Sequence, residues 1–228
     1  MLFAIITILA VLGLLLRQTA LRFRDSRGTA PNGAAPRFAW GPYGAWLAAR
    51  TKAAFQIQTV QKTWTEFESW TAKYYPGWTK WLFAAFVLSF LYLAASGFFF
   101  AVFIARGIYG LPLVGHVVLG GLFAILLAGM LLWRARDYRF DKQEEEAIEH
   151  FSFPVFKNVS KAFVRKTFFW IFALAGLLII LTALLSMLPI LPADAQQTLI
   201  LIHKYSALAA LLAAIVFVDI TFIPAPRP

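Results

Sequence analysis

Three histidines occur in the chain, and two of them stand where an ionisable group is costly. His116 lies in GLPLVGHVVLGGLFAILLAGMLLW, residues 110–133, and His203 in LILIHKYSALAALLAAIVFV, residues 199–218. Both stretches are apolar for long enough to cross a bilayer. His116 is five residues beyond Leu111, where its apolar run starts, and His203 is five beyond Thr198. If the two helices cross in the same sense, each imidazole sits about 8 Å below the same membrane face. Two imidazoles at one depth on facing helices can take the two axial positions of a single b-type haem iron. The plainer alternative for either residue alone is a histidine that hydrogen-bonds to a neighbouring helix. His150, in the charged stretch EEEAIEH, reads as a solvated surface residue.

A porphyrin needs room, and small residues flank both histidines. Gly120 follows His116 by four residues on the same helical face with Gly121 beside it, and Ser206 and Ala207 follow His203 by three and four. Ala95, Ser96 and Gly97 are further small residues in the preceding apolar run. Lys204 and Arg106 stand near the same end, where they could make charge-assisted hydrogen bonds to haem propionates. Lys204 could equally extend to water on its own.

The elements that must position these residues are membrane helices. Of the 228 residues 61% are hydrophobic, well above the roughly 45–50% of a soluble domain. The absence of cysteine removes disulfides, thiolate iron–sulfur ligation and covalent c-type haem attachment. Apolar runs cover residues 1–16, 81–105, 111–133, 167–190 and 198–222, and the last four are about long enough for a transmembrane helix. The first would reach only about 24 Å as a helix. With no basic residue before it, no A-x-A site after it, and Arg17, Arg22, Arg24 and Arg27 following, it reads as an uncleaved anchor rather than a signal peptide. The expected organisation is therefore all-α: an N-terminal transmembrane helix (1–16), a linker with an interfacial helix (17–80), a four-helix membrane domain (81–222) and a short tail (223–228).

The net charge of +10 is distributed between apolar runs, which argues for topology rather than nucleic-acid binding. Residues 17–80 carry ten Lys/Arg against three acids, and residues 134–166 carry eight against six, whereas the short loops 106–110 and 191–197 hold only Arg106 and Asp194. The positive-inside rule then predicts a multi-pass membrane protein with its N-terminus outside and both basic segments and the C-terminus cytoplasmic. Within the first basic segment, RGTAPNGAAPRFAWGPYG reads as irregular. Phe55, Ile57, Val60, Trp64 and Phe67 then recur at helical spacing between polar residues, which predicts an amphipathic helix. The aromatics Trp64, Trp70, Tyr74, Tyr75, Trp78 and Trp81 at its end suit the headgroup level, and docking onto a protein is the rival use of this surface.

At its histidines the chain resembles the cytochrome b (gamma) subunits of respiratory formate dehydrogenases and related hydrogenase b-subunits. The likeness runs over roughly residues 81–222. HVVLG at 116–120 is similar to that family's H-x-x-x-G, KTFFW at 166–170 to its K-x-x-F-W, and LILIH at 199–203 to the approach to its last-helix histidine. The resemblance implies a four-helix bundle, bound haem b, exchange of electrons with a quinone, and partner subunits bearing iron–sulfur, molybdenum or cytochrome c centres. The family holds two haems. Its second ligand pair would fall fourteen residues before Gly97 and fourteen after His203, which are Phe83 and Phe217 in this chain. Phenylalanine cannot ligate iron, so only the outer haem is expected, and the inner position should be packed with aromatic rings. FVRK at 163–166 also departs from the family's N-x-x-Q-K, which puts its inner quinone site in doubt.

Asp219, the one carboxylate in the last four apolar runs, is expected to pair with Lys166 or Arg165, with a proton-relay role as the alternative. The functional expectation is an electron-transfer subunit with a single bis-histidine haem and no catalysis of its own. A haem-free scaffold of a larger membrane complex is the alternative from another class. A small transporter is disfavoured, since neither inverted repeats nor broken helices are visible.

Overall fold

The computed structural model describes residues 2–26, 43–45, 47–48, 57–104, 107–149 and 160–222. Among these residues the structure is helical, with no strand. The helices are α1 (Leu2–Ser26), α2 (Ile57–Tyr74), α3 (Thr79–Phe99), α4 (Gly110–Arg134), α5 (Lys142–Glu149), α6 (Lys161–Ser186) and α7 (Ala193–Phe222). A π-helical turn, Phe100–Ile104, continues α3, and a 3₁₀ turn, Ala135–Tyr138, continues α4. Five helical segments are long and apolar enough to cross a membrane: Leu2–Ala20, Thr79–Ile104, Gly110–Tyr138, Lys161–Ser186 and Ala193–Thr221.

Burial is distributed as a bilayer requires. Many of the most enclosed positions are small, including Ala173, Ala210, Ala213, Ser89 and Thr182 beside the larger Leu127 and Phe123, whereas Leu111 is 84% and Leu132 is 90% exposed. With lipid as solvent, large apolar side chains gain nothing by turning inward, and small residues let helices approach. The chain is a multi-pass membrane protein, an all-α bundle with a four-helix core and an additional N-terminal helix.

The chain divides into two compact units. The first holds Met1–Thr7 and Trp81–Thr221. Here α3, α4, α6 and α7 run alternately up and down, as their contacts show. Gly97 near the end of α3 meets His116 near the start of α4, and Gly176 of α6 admits the buried side chain of Leu127 of α4. Phe86 and Phe90 of α3, Phe123 of α4 and Phe172 of α6 form a cluster with ring centroids 5.2–6.1 Å apart. At the first turn of α1, Phe3 meets Phe98 at 6.3 Å and Tyr205 at 5.3 Å.

The end of this unit that carries the 134–166 connection is fixed by polar contacts. Asp141 and Glu144 form a reciprocal capping box at the start of α5, each backbone N–H donating to the other's carboxylate at 2.9 Å. Ser160 caps α6 by accepting from the Phe163 N–H at 3.1 Å. Trp170 Nε1 donates to the Tyr138 carbonyl at 2.9 Å, which holds the 3₁₀ turn against α6. At the opposite end Gln196 donates through Nε2 to the carbonyls of Leu188 and Leu191, each at 3.2 Å, closing the turn between α6 and α7.

The second unit holds Ile8–Lys80 and Phe222–Pro228. The first helix does not stop at Leu16 but continues to Ser26, because nothing in RQTALRFRDS breaks it. Phe23 packs edge-on to Tyr43, and Thr19 Oγ1 shares a 2.5 Å hydrogen bond with the Tyr43 hydroxyl. The amphipathic segment is helical from Ile57, with Trp64 60% exposed and donating to Glu68 at 2.7 Å. The part of it before residue 57, the Gly/Pro-rich linker and the tail lie outside the described residues. Gly77, at φ 65°, turns the chain after Pro76, where a side chain would be strained, and α3 follows.

Candidate functional site

Both histidines lie in the first unit, half-buried, and each is tied to the helix that precedes its own. His116 Nδ1 is 2.9 Å from Ser96 Oγ of α3. His203 Nδ1 is 3.1 Å from the Ile179 carbonyl and 3.3 Å from Thr182 Oγ1, both on α6. The two hairpins, α3–α4 and α6–α7, therefore use the same device.

These contacts bear on where each ring carries its proton. A carbonyl only accepts, so His203 Nδ1 must carry the proton it donates to Ile179. The hydroxyl of Ser96 has one proton, which it gives to the Tyr92 carbonyl at 2.7 Å, and so it faces His116 as an acceptor. Thr182 likewise donates within its helix, to the Leu178 carbonyl at 2.7 Å. His203 is thus protonated at Nδ1, and an Nδ1–H tautomer of His116 is compatible with its contact to Ser96. Among the described residues their hydrogen bonds are made through Nδ1 alone, which leaves Nε2 as the atom available to a metal. This is the arrangement in which a histidine ligates: one nitrogen fixed by a hydrogen bond, the other presented.

The surrounding candidates divide. Ser206 is buried at 7% exposure and Ala207 and Lys204 are half-buried on the histidine's own helix. Gly120 is half-buried but not tightly pressed, since a Cβ there would meet only Leu93 Cδ2 at 4.0 Å. The glycine in close contact with a histidine is Gly97, whose added Cβ would lie 3.4 Å from His116 Cε1. Arg106 and His150 lie outside the described residues. Of the cations expected to face Asp219, Lys166 has its Nζ 2.5 Å from Glu144 Oε2 and 3.9 Å from Asp141 Oδ2, and Arg165 makes no ion pair among the described residues. The capping box brings Glu144 to the base of α6 and so takes the lysine.

The role of Ser96, Thr182 and the Ile179 carbonyl was not apparent from the sequence. Ser96 was legible only as a small residue. Thr182 is the single hydroxyl in FFWIFALAGLLIILTALL, which was a usable signal. A backbone carbonyl leaves no signal at all.

No group of three or more His, Cys, Asp or Glu side chains able to hold a bare metal ion occurs among the described residues. Two histidines alone are too few donors for such an ion, whereas a porphyrin brings four nitrogens of its own. In class, the fold defines a multi-pass helical membrane bundle, with one histidine in each of two membrane-spanning helices. No family model, curated protein or solved structure matches the chain.

Proposed function

We propose that the chain is a membrane-embedded b-type cytochrome, an electron-transfer subunit that holds one haem between His116 and His203. The observation that carries this reading is that each membrane histidine is held through Nδ1 by the helix before its own, which leaves both Nε2 atoms without a hydrogen bond among the described residues. A bound haem would supply a one-electron redox centre. The chain's own residues do the rest. Ser96 and the Ile179 carbonyl orient the rings and increase their basicity. Gly97 leaves space for the His116 ring to lie against α3. Lys204 is a candidate partner for the propionates.

A single haem serves electron exchange at one face. The positions where the resembling gamma subunits have a second histidine pair are Phe83 and Phe217 here. Phe217 lies 5.9 Å from Tyr138, which stacks on Phe169 at 4.0 Å, so rings occupy this part of the bundle. The partners in this reading are a redox protein at the outer face and a quinone or a further redox subunit, within a bacterial inner membrane whose N-terminus-out topology follows from the basic loops.

The test is a reduced-minus-oxidised absorption spectrum of the purified chain, with haem per protein from the pyridine adduct. One low-spin b haem, lost in His116→Ala and in His203→Ala, supports the reading. Two haems would contradict the single site. A colourless protein isolated with its native partners would favour a haem-free scaffold.

A further inference from the structure

At the end of the bundle that carries the 134–166 connection, three rings form a layer: Phe169 of α6, Tyr138 and Phe217 of α7. Arg165 precedes Phe169 by four residues and Thr221 follows Phe217 by four. Since α6 and α7 run in opposite directions, both residues lie one turn beyond the ring layer, toward the membrane surface. Arg165 Nε and Thr221 Oγ1 are both buried and have no hydrogen-bond partner. The neighbouring cations are already matched, Arg134 to Asp137 at 2.8 Å and Lys166 to Glu144 at 2.5 Å. Arg165 makes no ion pair among the described residues, at the end of a membrane-spanning helix.

We propose that Arg165 and Thr221 bind the phosphodiester of an anionic phospholipid. A guanidinium presents paired N–H groups that match two phosphate oxygens, and a threonine hydroxyl can donate to one of them. The position favours a lipid over a soluble anion. Arg165 is in the second turn of α6 and Thr221 in the last turn of α7, where hydrocarbon gives way to headgroups. Trp133 and Trp170 stand at the same end, and such rings prefer that interface. Exposed Val218 on α7 and Ile171 and Leu174 on α6 offer apolar surface to the acyl chains. The anion would offset the cost of an unpaired cation at the edge of the bilayer.

The experiment uses the full chain in mild detergent, washed free of lipid and then titrated with phosphatidylglycerol, phosphatidylcholine or inorganic phosphate. Binding is read by native mass spectrometry and thermal unfolding, for wild type, Arg165→Gln, Arg165→Lys and Thr221→Val. Phosphatidylglycerol should be retained and should raise the Tm, with phosphatidylcholine and inorganic phosphate without effect. Arg165→Gln should weaken retention by about tenfold, the loss expected for a hydrogen bond to a charged group. Arg165→Lys should keep most of the binding, and Thr221→Val should weaken it severalfold, about 1 kcal/mol for a neutral donor, so that the proposal does not rest on one variant's folding. Equal retention by Arg165→Gln and wild type would overturn the proposal. So would an equal Tm rise with phosphatidylcholine, or with inorganic phosphate, the latter assigning the niche to a free anion.

Discussion

The ring of His116 lies directly against Gly97: a Cβ added at that glycine would come 3.4 Å from His116 Cε1. Contact this close between two helices fixes where the imidazole can stand. Gly97→Ala needs the ring to give by a few tenths of an ångström and should be tolerated. Gly97→Leu should displace it, at an overpacking cost of about 1–3 kcal/mol. Haem per protein from the pyridine adduct should be near wild type in the first variant and strongly reduced in the second.

Ser96 and Ile179 both act as acceptors for an Nδ1–H, but only Ser96 can be removed by side-chain substitution. Ser96→Ala leaves the His116 proton without its 2.9 Å partner. Losing such a partner typically weakens metal binding by about 10–100-fold. It also lowers the basicity of the ligand, which favours the reduced iron, so the midpoint potential should rise. Thr182→Val should have a smaller effect on both quantities, because the Ile179 carbonyl still holds His203 at 3.1 Å. A redox titration of the two variants beside wild type distinguishes them, and equal effects would contradict the assigned acceptors.

The membrane helices were legible because hydrophobic length is a strong signal, and His116 and His203 stood out against it. The way each ring is held was not. Ser96 was visible as a small residue, yet its role depends on the α3–α4 hairpin bringing residue 96 beside residue 116. The extension of α1 to Ser26 was missed because its arginines mark where hydrocarbon ends, not where the helix does. The Lys166–Glu144 pair was hidden because the 22 intervening residues must turn back on themselves, and charge counts along a loop carry no information on that. Lys166 and Arg165 were matched to Asp219 on depth alone, and depth does not reveal that a capping-box acid from α5 reaches the lysine.

Gly176 and Leu127 report on the packing of α4 against α6. A Cβ on Gly176 would lie 2.6 Å from Leu127 Cδ2, and Leu127 is only 2% exposed, so its side chain has little freedom to move aside. Gly176→Ala should destabilise the bundle by about 1–3 kcal/mol, seen as a lower thermal unfolding midpoint in detergent. Leu127→Ala removes the obstructing atoms, so the double variant should be less destabilised than the sum of the two single ones. Additive losses would mean that the two helices pack elsewhere.

Glu144 does two jobs with one carboxylate. Its Oε2 accepts from the Asp141 N–H at 2.9 Å, completing the capping box of α5, and from Lys166 Nζ at 2.5 Å, joining α5 to α6. The Lys166 and Glu144 side chains retain only 17% and 13% of their exposure, so screening by solvent is weaker than for a surface pair. Glu144→Gln keeps an acceptor for the cap but removes the charge facing Lys166, whereas Glu144→Ala removes both. Glu144→Ala should therefore cost about 1–3 kcal/mol and loosen α5, with Glu144→Gln falling between it and wild type. Amide hydrogen exchange over residues 141–149 separates the two contributions: protection of the Asp141 amide should survive in Gln and be lost in Ala, while the residue-144 amide keeps its Asp141 acceptor in both. If both variants exchange alike, the ion pair alone holds α5 and the cap adds nothing.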